Sequence, residues 1–92
     1  MLAYMGDRFD VELEPEVRRW LDKLPLPGYR TVEYHADRLT ASPVTLAEPY
    51  CRHLRGAVRE LRFHLGRAAW RITYRLAPQR RIVLLTVFRK TP

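Results

Sequence analysis

The fold is decided by residues 58–76, VRELRFHLGRAAWRITYRL, in which apolar and polar side chains alternate along both halves. Alternation with a period of two is typical of a half-buried strand, and it predicts strands over 58–65 and 69–76. Between them, Gly66 and Arg67 form a two-residue loop with glycine in its first central position, as the type II′ turn of a hairpin requires. The segment is therefore predicted to be an antiparallel hairpin with one apolar face.

The two-residue turn fixes the register of this hairpin. Phe63 falls opposite Trp70 on the apolar face, and Arg62 falls directly opposite Arg71 on the polar face. Like charges that face each other across a ladder are destabilising, which favours an anion bound between the two guanidinium groups. The alternative is that the long arginine side chains spread into water at little cost.

The chain on either side of the hairpin supplies the other elements of an α+β fold. The pattern predicts an N-terminal strand, a two-helix hairpin and then an antiparallel sheet of three to four strands, with the helices packed on one face. The ranges are a strand over 8–13, a helix of about ten residues from Pro15, a break at Pro25, Pro27 and Gly28, a second helix to about Thr40, an extended loop over 43–50, a turn over 77–80 and an apolar strand over 81–89.

Length and composition limit the class of protein. The chain has 92 residues, enough for a single domain over 1–92, and its one cysteine, Cys51, excludes an intrachain disulfide and a multi-cysteine metal site. The longest uncharged apolar run, 82–88, is far shorter than the roughly 20 residues that span a bilayer. The N-terminus lacks a basic-then-apolar leader. We therefore expect a cytoplasmic protein that does not contact a membrane.

Charge gives the first indication of function. The formal net charge is +7, and it is divided unevenly: residues 1–49 hold 6 basic and 9 acidic side chains, whereas residues 50–92 hold 11 basic side chains and one acidic side chain, Glu60. This asymmetry predicts a polyanionic partner, with phosphate favoured over carboxylate and hence RNA or DNA. A solvated charged surface without a partner is the alternative.

The same half of the chain contains the candidates for chemistry at a phosphate. Arginine stays protonated and cannot act as a base, but it stabilises the negative charge of a phosphoryl-transfer transition state. The proton-transfer candidates are His64, His53 and Glu60, for which a plain polar surface role is the alternative. The aromatic residues on the apolar stripes, Trp20, Phe63, Trp70 and Tyr74, are expected to pack in the core and not to stack on bases. We expect no metal, since crowded arginines repel cations, and no cofactor, since no glycine-rich phosphate loop is present.

Four short motifs in order resemble the RelE/HigB superfamily of toxin–antitoxin mRNA interferases. They are His53-Leu54-Arg55-Gly56, Arg59-Glu60-Leu61-Arg62-Phe63, Trp70-Arg71-Ile72-Thr73-Tyr74, and Ile82-Val83-Leu84-Leu85 with Phe88-Arg89-Lys90. The resemblance covers nearly the whole chain. It implies a small cytoplasmic endoribonuclease that enters the ribosomal A site and cuts mRNA without a metal, and that a cognate antitoxin holds inactive.

The resemblance also implies roles for particular residues. Arg71 matches the family's arginine that contacts the scissile phosphate, and Arg62 matches a basic position facing the same site. Arg89 and Lys90 match the basic end of the last strand, whereas His64 has no family counterpart. The expected catalytic set is Arg62, His64, Arg71 and Lys90, and the expected RNA-binding set is His53, Arg55, Arg59, Arg75 and Arg89.

The chain departs from the family at its C-terminus, where members commonly continue into a helix that completes the active site. This sequence stops at Pro92, so we expect the domain to lack that helix. With a short turn over 77–80, Ile82, Leu84 and Phe88 are expected to share the face of Arg71 as an apolar patch. The hypothesis is that an antitoxin segment covers the patch and places an acidic residue against the arginines.

Two other classes of function stay open. A catalytically weak module that binds RNA or its antitoxin would account for a missing C-terminal helix and for the lack of a clear general base. A basic domain of unrelated function, such as a ribosome-associated or DNA-binding adaptor, would account for the charge alone.

Overall fold

Two helices and five strands follow one another in the computed structural model, which describes residues 8–43 and 51–91. They are strand β1 (Asp10–Leu13), helices α1 (Pro15–Asp22) and α2 (Leu26–Ala41), and strands β2 (Cys51–Arg55), β3 (Val58–Leu65), β4 (Ala68–Ala77) and β5 (Arg81–Arg89). The predicted order of elements is confirmed, and β2 is the fourth antiparallel strand. Apart from its first residue, the predicted loop over 43–50 lies outside the described residues.

The five strands form one sheet in the order β1-β5-β4-β3-β2. Strands β2 to β5 are antiparallel neighbours, as the sequence predicts. Strand β1, for which the sequence predicted no partner, pairs in parallel with β5, from Asp10 opposite Arg81 to Leu13 opposite Leu84, and makes the five-stranded sheet mixed. Parallel pairing needs a long connection, and most of the chain lies between these two strands.

Both helices carry proline in their first turn. Pro15 is the first residue of α1, and Glu16 places a carboxylate at the positive end of that helix. Helix α2 starts at Leu26 and includes Pro27 and Gly28, so the sequence-based prediction that these two residues belong to the break is wrong, and the break is at Pro25. Proline is tolerated there because a first-turn N–H has no partner within the helix. Within the described residues, no helix is long and apolar enough to cross a membrane.

The hydrophobic core lies between the helices and one face of the sheet. Val17 of α1 and Val32 and Leu39 of α2 are buried against that face. Trp20 extends the core, since its ring lies 5.0 Å from the ring of Trp70, centroid to centroid. The aromatic residues of the apolar stripes therefore pack in the core, as predicted. The sheet residues buried in the same cluster are Cys51, Leu61, Phe63, Ile72, Tyr74, Ile82 and Leu84.

Cys51 behaves as a small core residue. It is buried, and burial raises the pKa of its thiol above the usual value because desolvation disfavours the thiolate. A neutral, buried thiol is a poor nucleophile.

A β-bulge in β5 changes which side chains share a face. Thr73 of β4 pairs with Thr86, but its neighbour Tyr74 pairs with Leu84, so Leu85 is the extra residue. The extra residue reverses the alternation, and Ile82 and Leu84 consequently point into the core. The expectation that these two residues share the face of Arg71 is therefore wrong. Phe88 alone of the three lies opposite Arg71 and is exposed.

The bulge predicts unequal effects of two truncations in the same strand. Leu84→Ala should lower the free energy of unfolding by about 2–5 kcal/mol, because Leu84 is fully packed. Phe88→Ala should cost about 1 kcal/mol or less, because the residue is 44% exposed. Urea denaturation of both variants measures the difference, and equal losses would contradict the bulged register.

Candidate functional site

The hairpin of β3 and β4 has the predicted register. Gly66 adopts a φ of +60°, and Leu65 pairs with Ala68 across the two-residue turn. Arg62 consequently pairs with Arg71. Both project on the sheet face opposite the helices, which we call the open face, because their neighbours along each strand are buried in the core.

The carboxylate of Glu60 lies between the two arginines. Its Oε1 atom is 3.4 Å from the Nε of Arg62 and 3.5 Å from the Nε of Arg71. Glu60 and Arg71 are only 8% and 9% exposed. The anion expected between the guanidinium groups is thus supplied, in this structure, by the chain itself. Sequence analysis placed Glu60 on this face but did not show that it bridges the pair.

Arg71 is held in place by a second contact. Its Nη1 atom donates a hydrogen bond of 3.0 Å to the backbone carbonyl of Trp70. Two arginines and one glutamate carry a combined charge of +1, so the cluster retains attraction for an anion while its side chains are held by mutual contacts. A guanidinium fixed in this way is a preorganised ligand for phosphate.

Two rows of side chains cross the open face at this point. In the first row Arg62, Arg71 and Phe88 occupy paired positions on β3, β4 and β5. The second row consists, in the same strand order, of Glu60, Thr73 and Thr86. The hydroxyl groups of Thr73 and Thr86 are 2.5 Å apart, and the Thr86 N–H donates to the Thr73 hydroxyl oxygen.

A basic groove of about 500 Å³ adjoins these rows at the end of β5. The Lys90 N–H donates a hydrogen bond of 2.8 Å to the Ala69 carbonyl, which holds the strand end beside the hairpin turn. Sequence analysis assigned Arg67 to that turn but did not predict that it belongs to the site. The groove is lined by Arg67, Ala68, Ala69, Arg71, Arg89, Lys90 and Thr91, so four of its seven residues are cationic.

The other residues singled out in the sequence lie at different distances from this groove. His64 is exposed on the open face, pairs with Ala69 and lies diagonal to Arg71, as predicted. Arg75 is exposed on the same face, two residues beyond Thr73. Arg59 pairs with the buried Tyr74, so it projects on the opposite side of the sheet and is not brought to the groove. The side chains of His53 and Arg55 lie outside the described part of the chain.

His35, on α2, belongs to the packed layer and not to the site. Its ring lies 5.8 Å from that of Phe63, centroid to centroid. Desolvation lowers the pKa of His35 below its usual value, and the nearby Arg38 lowers it further, so the neutral imidazole is favoured.

The described residues hold no group of three or more His, Cys, Asp or Glu side chains that could bind a metal ion. The side chains that are brought together are guanidinium, ammonium, carboxylate and hydroxyl groups. They can bind phosphates and can accept a proton at Glu60.

Solved structures with the same fold include toxin–antitoxin complexes. The RelBE2 complex from Mycobacterium tuberculosis aligns with a TM-score of 0.67 and 22% identity, covering 92% of this chain and 94% of that one. The RelE–RelB complex from Pyrococcus horikoshii gives 0.68 and 24%, covering 89% and 94%. The intact RelBE complex from E. coli gives 0.67 and 14%, covering 91% and 99%. These likenesses establish a RelE-like α+β fold.

Family membership rests on the sequence itself. No curated protein matches the chain. Residues 19–92 match the family described as phage derived protein Gp49-like (DUF891), and this match includes α2, strands β2 to β5 and every residue of the basic groove. The chain therefore belongs to the Gp49-like protein family and has the fold of the RelE toxins.

Proposed function

We propose that this protein is the toxin of a type II toxin–antitoxin system, a metal-independent, ribosome-dependent mRNA endonuclease that a cognate antitoxin neutralises. One observation carries the proposal: Arg71 belongs both to the Arg62–Glu60–Arg71 cluster and to a groove with four cationic side chains. Three of the solved structures with this fold are toxin–antitoxin complexes, which supports an antitoxin as partner. The cytoplasm is the compartment where mRNA and ribosomes are present.

The cluster and His64 together supply the groups that the proposed RNA cleavage needs. The ribose 2′-oxygen attacks the adjacent phosphorus, so the 2′-O–P bond forms while the bond from phosphorus to the 5′-oxygen breaks. Arg71, with Arg62 beside it, stabilises the additional negative charge on the phosphoryl oxygens. Glu60 accepts the proton of the 2′-hydroxyl, and His64 supplies a proton to the departing 5′-oxygen. The products are a cyclic phosphate and a 5′-hydroxyl end.

The groove positions the RNA for this reaction. Lys90, Arg89 and Arg67 bind phosphates on one side of the scissile bond, next to Arg71. Phosphate contacts of this kind fix register and orientation without reading base identity. Within the ribosomal A site, the ribosome would present the mRNA strand to the groove.

The antitoxin is proposed to act on the same positive charge. An acidic residue of the antitoxin placed against Arg62 and Arg71 would compete with phosphate for both guanidinium groups. The exposed ring of Phe88 offers apolar contact area beside them.

Induction of the protein in a bacterial host, followed within minutes by mapping of mRNA 5′ ends, tests the proposal. The expected result is growth arrest with new ends inside translated regions, and both should disappear when translation is blocked beforehand or when the antitoxin is co-expressed. A folded, soluble protein that produces neither arrest nor new ends would refute it.

The Glu60 contacts favour one alternative, a catalytically weak module that binds RNA or an antitoxin. A phosphate must compete with Glu60 for both arginines, which would limit turnover if the carboxylate does not move. Such a module would bind RNA through Arg71 without producing new 5′ ends.

A further inference from the structure

Phe88 is an exposed aromatic residue on the open face of the sheet. It pairs with Arg71 on the open face, and 44% of its surface is accessible. Side chains of a directly paired couple have Cβ atoms about 5 Å apart, so the Phe88 side chain leaves the sheet next to that of the arginine that contacts the phosphate in the proposed reaction. Proteins that bind single-stranded nucleic acids place aromatic rings beside phosphate-binding cations, and the unpaired bases stack on these rings.

The hydroxyl pair of Thr73 and Thr86 lies in the adjacent row. Thr73 Oγ1 accepts from the Thr86 N–H, and one of the two hydroxyls donates to the other. Two hydroxyl groups have two hydrogens, and the bond between them uses one. Whichever threonine donates, the remaining hydrogen points away from the pair and can be donated to a ligand.

The β-bulge at Leu85 brings these groups together. It keeps Ile82 and Leu84 in the core while turning Thr86 and Phe88 to the open face, opposite Thr73 and Arg71. Bulges of this kind are enriched next to active sites, where they redirect side chains. Two residues of a strand span about 7 Å, so the ring and the hydroxyl pair lie close enough together for one nucleotide to contact both.

We propose that Phe88, Thr73 and Thr86 form a nucleoside subsite for one unpaired ribonucleotide of single-stranded RNA. The base stacks on the Phe88 ring, the Thr73–Thr86 pair hydrogen-bonds the ribose 2′-hydroxyl, and Arg71 holds the attached phosphate. This subsite rests on the proposed function and specifies its substrate as RNA in a single-stranded conformation.

The charge around the subsite selects RNA over a protein as its occupant. Four cationic residues line the neighbouring groove, and Arg71 belongs both to the groove and to the row of Phe88. A polyanion satisfies these charges along its length, and only RNA also carries a 2′-hydroxyl for the threonines.

Binding of short labelled oligonucleotides tests the subsite without requiring cleavage. Fluorescence anisotropy at low salt would compare a single-stranded RNA with a DNA of the same sequence. Phe88→Leu, which keeps the apolar volume but removes the ring, should weaken binding of both strands by about fivefold or more. Thr73→Val and Thr86→Val should weaken RNA binding by about three- to tenfold and leave DNA binding unchanged.

Two controls make the result specific. Thr73→Ser restores the hydroxyl and should recover the preference for RNA, and thermal unfolding should show that each variant folds. A preference for RNA that survives both valine substitutions, or a Phe88→Leu protein that binds both strands like the wild type, would overturn the subsite while leaving Arg71-dependent cleavage intact. The converse result, variant effects as expected but no cleavage of mRNA by the wild type, would reject the nuclease and support the subsite.

Discussion

Arg71→Ala is expected to abolish growth arrest and to lower the rate of RNA cleavage by about 10²- to 10³-fold, the usual effect of removing one charge-stabilising donor from a transition state. Arg71 is almost fully buried and is held by Glu60 and by the Trp70 carbonyl. The fold should persist, because Glu60 keeps its contact with Arg62.

The measurement is the cleavage rate in a translation reaction together with mRNA end mapping in cells. Arg30→Ala is the matched control, because Arg30 is exposed on α2, on the other side of the sheet. It removes the same charge and should leave the cleavage rate within about twofold of the wild type, since salt screens an exposed charge on the far side of the sheet from the site. A folded Arg71→Ala protein that cleaves within tenfold of the wild type would remove Arg71 from the proposed mechanism.

The sequence predicted the part of the fold in which alternation and turn length act together. Along β3 and β4 every second residue is polar, and the two-residue turn at Gly66 allows one register, so the pairing of Arg62 with Arg71 could be derived. Strand β5 is different. Residues 82–85 are all apolar, so the run contains no information about which residues face the core, and the bulge at Leu85 could not be seen.

The same reasoning explains what was missed at the site. Glu60 was placed on the correct face, but a contact with both arginines depends on the side-chain rotamers and not on the alternation. Arg67 joins Arg89 and Lys90 only because the hairpin turn and the end of β5 meet in space. Strand β1 has four residues, too few for its pattern to specify a parallel partner.

Glu60→Gln is expected to change RNA binding and RNA cleavage in opposite directions. Glutamine keeps the size and the carbonyl acceptor of glutamate but removes its charge, so the charge of the Arg62–Arg71 cluster rises from +1 to +2. RNA affinity at low salt should increase by about threefold or more, because phosphate no longer competes with a carboxylate. Cleavage should fall by about 10²- to 10⁴-fold, the contribution of a general base.

The opposite signs separate the two roles that the geometry allows for Glu60. If it were only a counter-ion that holds the arginines, its neutralisation would free them and raise binding and cleavage together. If it accepts the 2′-hydroxyl proton, tighter binding cannot compensate for the missing base.

Anisotropy with a short RNA measures the RNA affinity, and single-turnover cleavage in a translation reaction measures the cleavage rate. Thermal unfolding completes the set, because Arg71 is buried and loses a counter-charge in this variant. A variant that binds more tightly and cleaves faster would assign Glu60 to restraint of the site and leave the proton to another group, for which His64 is a candidate on the same face.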